Sequence, residues 1–184
     1  MYEALSMHQI IIKFWFEEID QSLWWSKDEE FDQLIIERFS NIHAKAIHCE
    51  LFDWRKSAEG KLAEIIVLDQ FSRHMFRDSP LSFAYDSLAL ALSQEAISVG
   101  ADKELSPIQR SFLYLPFMHS ESLKIHEVAI NLYKKNRLQS NLDFEIKHIQ
   151  IIQKFGRYPH RNRMLGRTST DEEIEFLKQA GSKF

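Results

Sequence analysis

The chain has 184 residues, 45% hydrophobic and 27% charged, which is enough apolar material for a packed core and too much for a disordered chain. Its formal net charge of −4 gives no general drive toward nucleic acid, whose binding needs many Lys and Arg contacts to phosphate, so any basic site must be local. Cys49 is the only cysteine, which excludes an intramolecular disulfide and a cysteine-based zinc site and suits a cytoplasmic location. The N-terminus lacks a basic leader and Lys13 interrupts its apolar run, so neither a signal peptide nor a membrane span is expected.

Apolar residues recur at helical spacing almost throughout, and no segment alternates with period two, which predicts an all-α chain. A first helix from about Ser6 to Asp20 carries Ile10, Ile11, Phe14 and Trp15, and a second begins near Asp28 with Phe31, Leu34, Ile35 and Phe39. A short helical piece is expected from Ile42 to Phe52. Gly60 precedes Leu62, Ile65, Ile66, Val67, Leu68, Phe71, Met75 and Phe76, apolar on nearly every side, so this central helix should be buried by its neighbours, with Pro80 closing it. The next helix, about Leu81 to Val99, is rich in small residues that permit close packing, and Gly100 is a natural stop.

Pro107 sits at a first-turn position, whereas Pro116 should kink or restart that helix. From Ser120 the pattern Ile125, Val128, Ala129, Leu132, Tyr133 predicts a further helix. Another runs from Asn141 to Gly156, and Thr170-Asp171-Glu172-Glu173 forms a capping box for the last one. Helices of this length joined by short loops usually lie antiparallel to their neighbours, giving stacked helical hairpins in one domain over residues 1–184.

Three polar stretches interrupt the apolar pattern. Asp69, Arg73 and Arg77 share one face of the central helix by their i, i+4, i+8 spacing, and the buried carboxylate needs a partner. His119, Ser120 and Glu121 follow the Pro116 break, where an imidazole beside a carboxylate has the chemistry of an acid–base pair or of a helix cap. The run Phe155 to Arg167 packs Arg157, His160, Arg161, Asn162, Arg163 and Arg167 into a loop set by Gly156 and Pro159. Arginine forks suit carboxylate and phosphate, so this loop is a candidate anion-recognition surface, or else a set of structural ties to carboxylates such as Asp69, Asp86 or Glu121. His148 shares a helix row with apolar residues and should face inward. No Gly-rich phosphate loop, nucleophile elbow or helical pairing of metal ligands occurs, so no metal and no cofactor are expected.

The motifs Phe14-Trp15-Phe16, Phe31-Asp32, Leu68-Asp69-Gln70-Phe71-x-Arg73, Phe112 to Glu121, and Phe155-Gly156-Arg157-Tyr158-Pro159-His160-Arg161-Asn162 followed by Leu165-Gly166-Arg167 resemble the bacterial domain-of-unknown-function 924 family over essentially the whole chain. Ser72 and His74 stand where that family often has proline and asparagine. The resemblance implies an all-helical, tetratricopeptide-like architecture, and it supplies no reaction.

Together these readings lead to an expected polar site of Asp69, Arg73, Arg77, His119, Glu121, Arg157, His160, Arg161 and Asn162. It would bind a small anionic or carboxylate-bearing molecule or a peptide end, with no nucleic acid and no membrane as partner. Two alternatives stand beside it. One is a tetratricopeptide-like module that grips a partner protein while its arginines are architectural, and the other is a hydrolase-type enzyme with a histidine base.

Overall fold

In the computed structural model, which describes residues 5–182, the chain is helical and contains no strand among the described residues. The helices are α1 (Met7–Lys13), α2 (Glu29–Ile47), α3 (Ala58–Ile66), α4 (Ser72–Met75), α5 (Asp86–Ser98), α6 (Pro107–Met118), α7 (Leu123–Asn136), α8 (Gln139–Phe155) and α9 (Asp171–Leu177). No helix among the described residues is long and apolar enough to cross a membrane. Asp28, Ser57, Ser106 and Thr170 cap the starts of α2, α3, α6 and α9 by accepting from backbone N–H groups that have no partner inside the helix.

Several boundaries differ from the sequence expectation, each for a local reason. The first helix changes after Lys13 into a wide π turn, Phe14–Glu18, which puts Phe14 and Trp15 into the core while Phe16 packs at its edge. No separate piece spans Ile42 to Phe52, because α2 runs unbroken to Ile47 and buries His43 and Ala46. The segment after Pro80 first makes a short 3-10 turn, so α5 begins at Asp86. Pro116 neither breaks nor restarts α6. It stands near the C-terminus, costs one backbone bond there, and is fully packed, and the helix continues to Met118.

The central element is α3 and α4 joined by a second π turn, Val67–Phe71, all five residues of which are buried. A π turn carries one more residue than an α turn and re-aims the side chains beyond it. Around it lies an aromatic core in which Phe71 meets Phe39 (4.9 Å), Trp15 (5.6 Å) and Phe14 (6.2 Å) between ring centroids, within the distances that favour edge and offset contacts. The indole N–H of Trp24 donates to the Trp15 carbonyl at 2.9 Å. On the other side α5, α6, α7 and α8 pack each on the next, and the loop after α8 folds back over the ends of α5 and α6.

Candidate functional site

Asp69 lies within the central π turn and is 1% exposed. Its Oδ1 accepts from His119 Nδ1 at 2.7 Å and lies 3.3 Å from Arg73 Nη1, and its Oδ2 accepts from Gln70 Nε2 at 2.5 Å. Burial alone would raise this carboxyl, but the Arg73 charge and the bonds from His119 and Gln70 outweigh it and hold the group far below the ordinary carboxylate range. An ionised carboxylate only accepts, so the His119 proton sits on Nδ1 and the ring is neutral. Burial first, and the Arg73 charge second, lower the His119 pKa and keep it so.

The α5 residue Asp86 ties this network to the loop. Arg73 donates to Asp86 Oδ1 at 2.9 Å and Oδ2 at 3.1 Å, and Arg161 donates to the same Oδ2 at 3.0 Å. Arg161 also donates to the His119 carbonyl at 3.0 Å, and its guanidinium lies over the rings of Phe83 (4.4 Å) and Tyr158 (4.9 Å). The residue is 6% exposed, and its Nε has no hydrogen-bond partner among the described residues. Burial lowers the Arg161 pKa, and the single shared carboxylate of Asp86 only partly offsets this.

The loop has its own frame. Gly156 ends α8 at φ 67°, a left-handed conformation that glycine takes without cost. Tyr158, 1% exposed, donates its N–H to Glu121 Oε1 at 2.7 Å and its hydroxyl to the Met118 carbonyl at 2.6 Å. Arg167 grips Glu121 with both Nη atoms, at 2.6 and 2.9 Å, while its Nε donates to Asn162 Oδ1 at 2.9 Å. Burial would raise the Glu121 carboxyl, but Arg167 and the Tyr158 N–H lower it.

A cleft of about 290 Å³ opens beside these groups. Asp86, His119, Ser120, Glu121 and Arg161 form its polar wall, and Phe83, Leu90, Pro116 and Leu165 contribute apolar surface. His119 Nε2 has no hydrogen-bond partner among the described residues. A second groove of about 260 Å³, lined by Ile97, Phe117, Ile125, Val128 and Leu132 among others, lies between α5 and α7 and holds no charged residue.

Of the nine residues singled out in the sequence, Asp69, Arg73, His119 and Arg161 join one network through Asp86. Glu121 and Asn162 join through Arg167 and Tyr158, and His160 packs on the Tyr158 ring at 5.5 Å. Arg77 lies elsewhere: the helix ends at Met75, the i, i+8 row does not continue, and Arg77 pairs with Asp32 (Nη2 to Oδ1, 2.6 Å) beside His74. Arg157 turns away to Glu173, at 2.7 and 2.8 Å, and caps the approach to α9. Asp86 was legible only as one possible counter-ion, Gln70 and Tyr158 only as members of the motifs that carry the family resemblance, and Phe83 carried no signal. Among the described residues no group of three or more His, Cys, Asp or Glu side chains is arranged to hold a metal ion.

Comparison with known proteins agrees with this architecture. Residues 11–181 match the model of a family described as bacterial protein of unknown function, DUF924, and the chain belongs to that family. The chain is similar to the solved structure of a protein of unknown function from Agrobacterium tumefaciens, with 36% identity over 93% of this chain and 96% of that one, at a TM-score of 0.88. No curated protein matches the chain.

Proposed function

We propose that the cleft binds a small molecule, or a peptide end, carrying a single carboxylate on an apolar body. The observation that carries this reading is Arg161, a buried guanidinium on the cleft wall with an Nε–H that has no acceptor among the described residues. A buried donor without an acceptor costs about 1–3 kcal/mol; the Nε itself is buried, so a bound oxygen would recover this as the ligand draws the guanidinium toward the cleft. The charge balance argues against polyphosphates. Arg73, Arg161 and Arg167 are met by Asp69, Asp86 and Glu121, so the wall has no surplus positive charge for a multiply charged anion. Phe83, Leu90, Pro116 and Leu165 would cover the apolar remainder of the ligand. A cytoplasmic location goes with this reading, supported by the exposed free thiol of Cys49.

Calorimetric titration of aliphatic and aromatic monocarboxylates, a free-acid tripeptide and inorganic phosphate tests the reading. Carboxylate binding that falls about tenfold or more in Arg161→Lys, without heat from phosphate, is the expected result. Equal binding by wild type and variant would refute it. A second reading, a tetratricopeptide-like interaction module, is favoured by the uncharged groove between α5 and α7; carboxylate binding that is absent while Val128→Glu abolishes capture of an apolar helical peptide would select it.

A further inference from the structure

Resting on the carboxylate-binding reading, we propose that His119 is the general base of an acyl-ester hydrolysis carried out in the same cleft, with Asp69 as its positioning residue. Three features of the geometry converge on this. First, the imidazole is held from behind: Nδ1–H is committed to Asp69 Oδ1 at 2.7 Å, and Asp69 is itself fixed by Gln70 and Arg73. That arrangement leaves Nε2 as the basic nitrogen and sets the tautomer that can accept a proton. Second, His119 is on the cleft wall, and its Nε2 has no hydrogen-bond partner among the described residues. A histidine serving only as a core tie would have that nitrogen capped as well, as His126 does, with Glu145 on one side and the Ser120 carbonyl on the other. Third, Arg161 donates to the carbonyl of His119 itself at 3.0 Å. The group that would hold the ligand carboxylate is thereby tied to the residue that would supply the base.

The step balances with water as co-reactant. Nε2 takes a proton from a water as its oxygen bonds to the acyl carbon, and the carbonyl pair moves onto its oxygen. As the pair returns, the carbon–oxygen bond to the alcohol breaks, and the departing alkoxide takes the proton back from Nε2–H. The products are a carboxylic acid and an alcohol, and His119 returns to its starting tautomer. The fitting substrate class is an ester whose acyl part carries a second, free carboxylate for Arg161.

The groups that face or influence the imidazole set its working range. They are Asp69 and Arg73 on the central helix, Asp86 on α5, His148 on α8, and His160 and Arg161 on the loop. The net effect keeps His119 in its basic form at neutral pH.

The test uses the 4-nitrophenyl monoesters of fumarate and terephthalate as chromogenic probes, whose free carboxylate cannot reach its own ester, with binding of the monocarboxylate benzoate followed separately by calorimetry. Saturable turnover is expected, with kcat/KM rising through one ionisation below the usual histidine range and level above it. His119→Gln, whose amide can still donate to Asp69, should lower kcat by a hundredfold or more, on the order expected for losing a general base, while the dissociation constant for benzoate changes less than threefold. Benzoate binding without turnover above the His119→Gln rate overturns the base assignment and leaves the binding reading intact. If neither benzoate nor the esters bind, both readings fall together. The wild-type pH profile decides the matter should the variant fail to fold: a rate that does not follow an ionisation below neutrality overturns the proposal.

Discussion

Arg73 and Arg161 donate to the same oxygen, Asp86 Oδ2, at 3.1 and 3.0 Å. One carboxylate on α5 thus holds the central helix and the arginine loop together, and it neutralises two like charges that would otherwise repel. Removing one member of a buried charge cluster leaves its partners uncompensated. Asp86→Ala is therefore expected to destabilise the protein by about 3 kcal/mol, read as a fall in the urea midpoint at unchanged slope. Asp86→Asn, which keeps an acceptor and the shape, should cost less and should bring a measurable calorimetric response to inorganic phosphate. A midpoint equal to that of wild type in Asp86→Ala would show that the loop is held by its other contacts.

His126 and Glu145 are both 0% exposed and meet at 2.7 Å. The Ser120 carbonyl can only accept, so the His126 Nε2 beside it at 2.7 Å carries a proton. Burial pushes the Glu145 carboxyl up against the pull of His126, and its Oε2 has no hydrogen-bond partner among the described residues. The arrangement suits a neutral acid donating to a neutral ring. Glu145→Gln preserves that donor and should stay within about 1 kcal/mol of wild type, whereas Glu145→Ala should cost about 2–4 kcal/mol from the cavity and the orphaned Nδ1. A carboxyl whose pKa is raised on folding contributes fully below its unfolded value and loses that contribution as pH rises through the folded one. The difference between wild type and Glu145→Gln in urea melts should accordingly widen in favour of glutamine as pH rises.

Burial lowers both His148 and His160 to about 3. Each imidazole therefore takes up its proton more readily in the unfolded chain, and stability declines as pH falls from about 6.5 toward the folded values. By about pH 5 the loss is on the order of 2 kcal/mol for each ring. Lowered carboxyls at Asp69, Glu121 and Glu173 add to the decline only further down, below about pH 4.5. Melting temperatures followed across this range should begin to fall well above the carboxylate region; a curve level down to about pH 5 would contradict the histidine account.

A Cβ at Gly60 would stand 2.0 Å from the Trp54 carbonyl oxygen and 2.8 Å from its carbon. Those are backbone atoms of the short turn that Ser57 and Trp54 build against the start of α3, and they have little freedom to retreat. Gly60→Ala, a favourable change in an open helix, should here cost about 2–3 kcal/mol. Thermal unfolding checks the sign, and a stabilised variant would mean that the turn moves.

Arg157 pairs with Glu173 and the Thr168 carbonyl, the latter at 2.9 Å, and none of these lines the cleft. Arg157→Ala should loosen α9 and lower the melting temperature while leaving carboxylate affinity within about twofold of wild type. A large loss of affinity would draw Arg157 into the site.

Helical periodicity was a sound guide because it reports burial directly. Phe31, Ile35 and Phe39 on α2, Ala129 and Tyr133 on α7 and Ile152 on α8 are buried as it predicts, whereas Leu34, Val128, Phe144 and Ile146 in the same patterns stay exposed; the capping box at Thr170 and the stop at Gly156 follow from local residue identity instead. Geometry that depends on backbone irregularity was invisible. Nothing in Val67-Leu68-Asp69-Gln70-Phe71 announces a π turn, since the same residues suit an ordinary helix; in the fold the wider turn packs against α2 and α5. The arginine loop was visible by composition, but its partners were not. Arg77 and Asp69 share a helical row on paper, yet the helix ends between them and Asp32 captures Arg77. Long-range pairings such as Arg161 with Asp86 link residues 75 positions apart, and no spacing rule reaches that far.

The wide turn at Val67–Phe71 works as a phase shift in the middle of a buried rod. One surplus residue rotates everything downstream by about 100° relative to an unbroken helix, so Ile65 and Ile66 can belong to the aromatic interior while Arg73 reaches α5. Excising a single residue there would restore regular winding and swing Arg73 away from Asp86. The alignment of the polar network thus depends on a count of residues as much as on their identity.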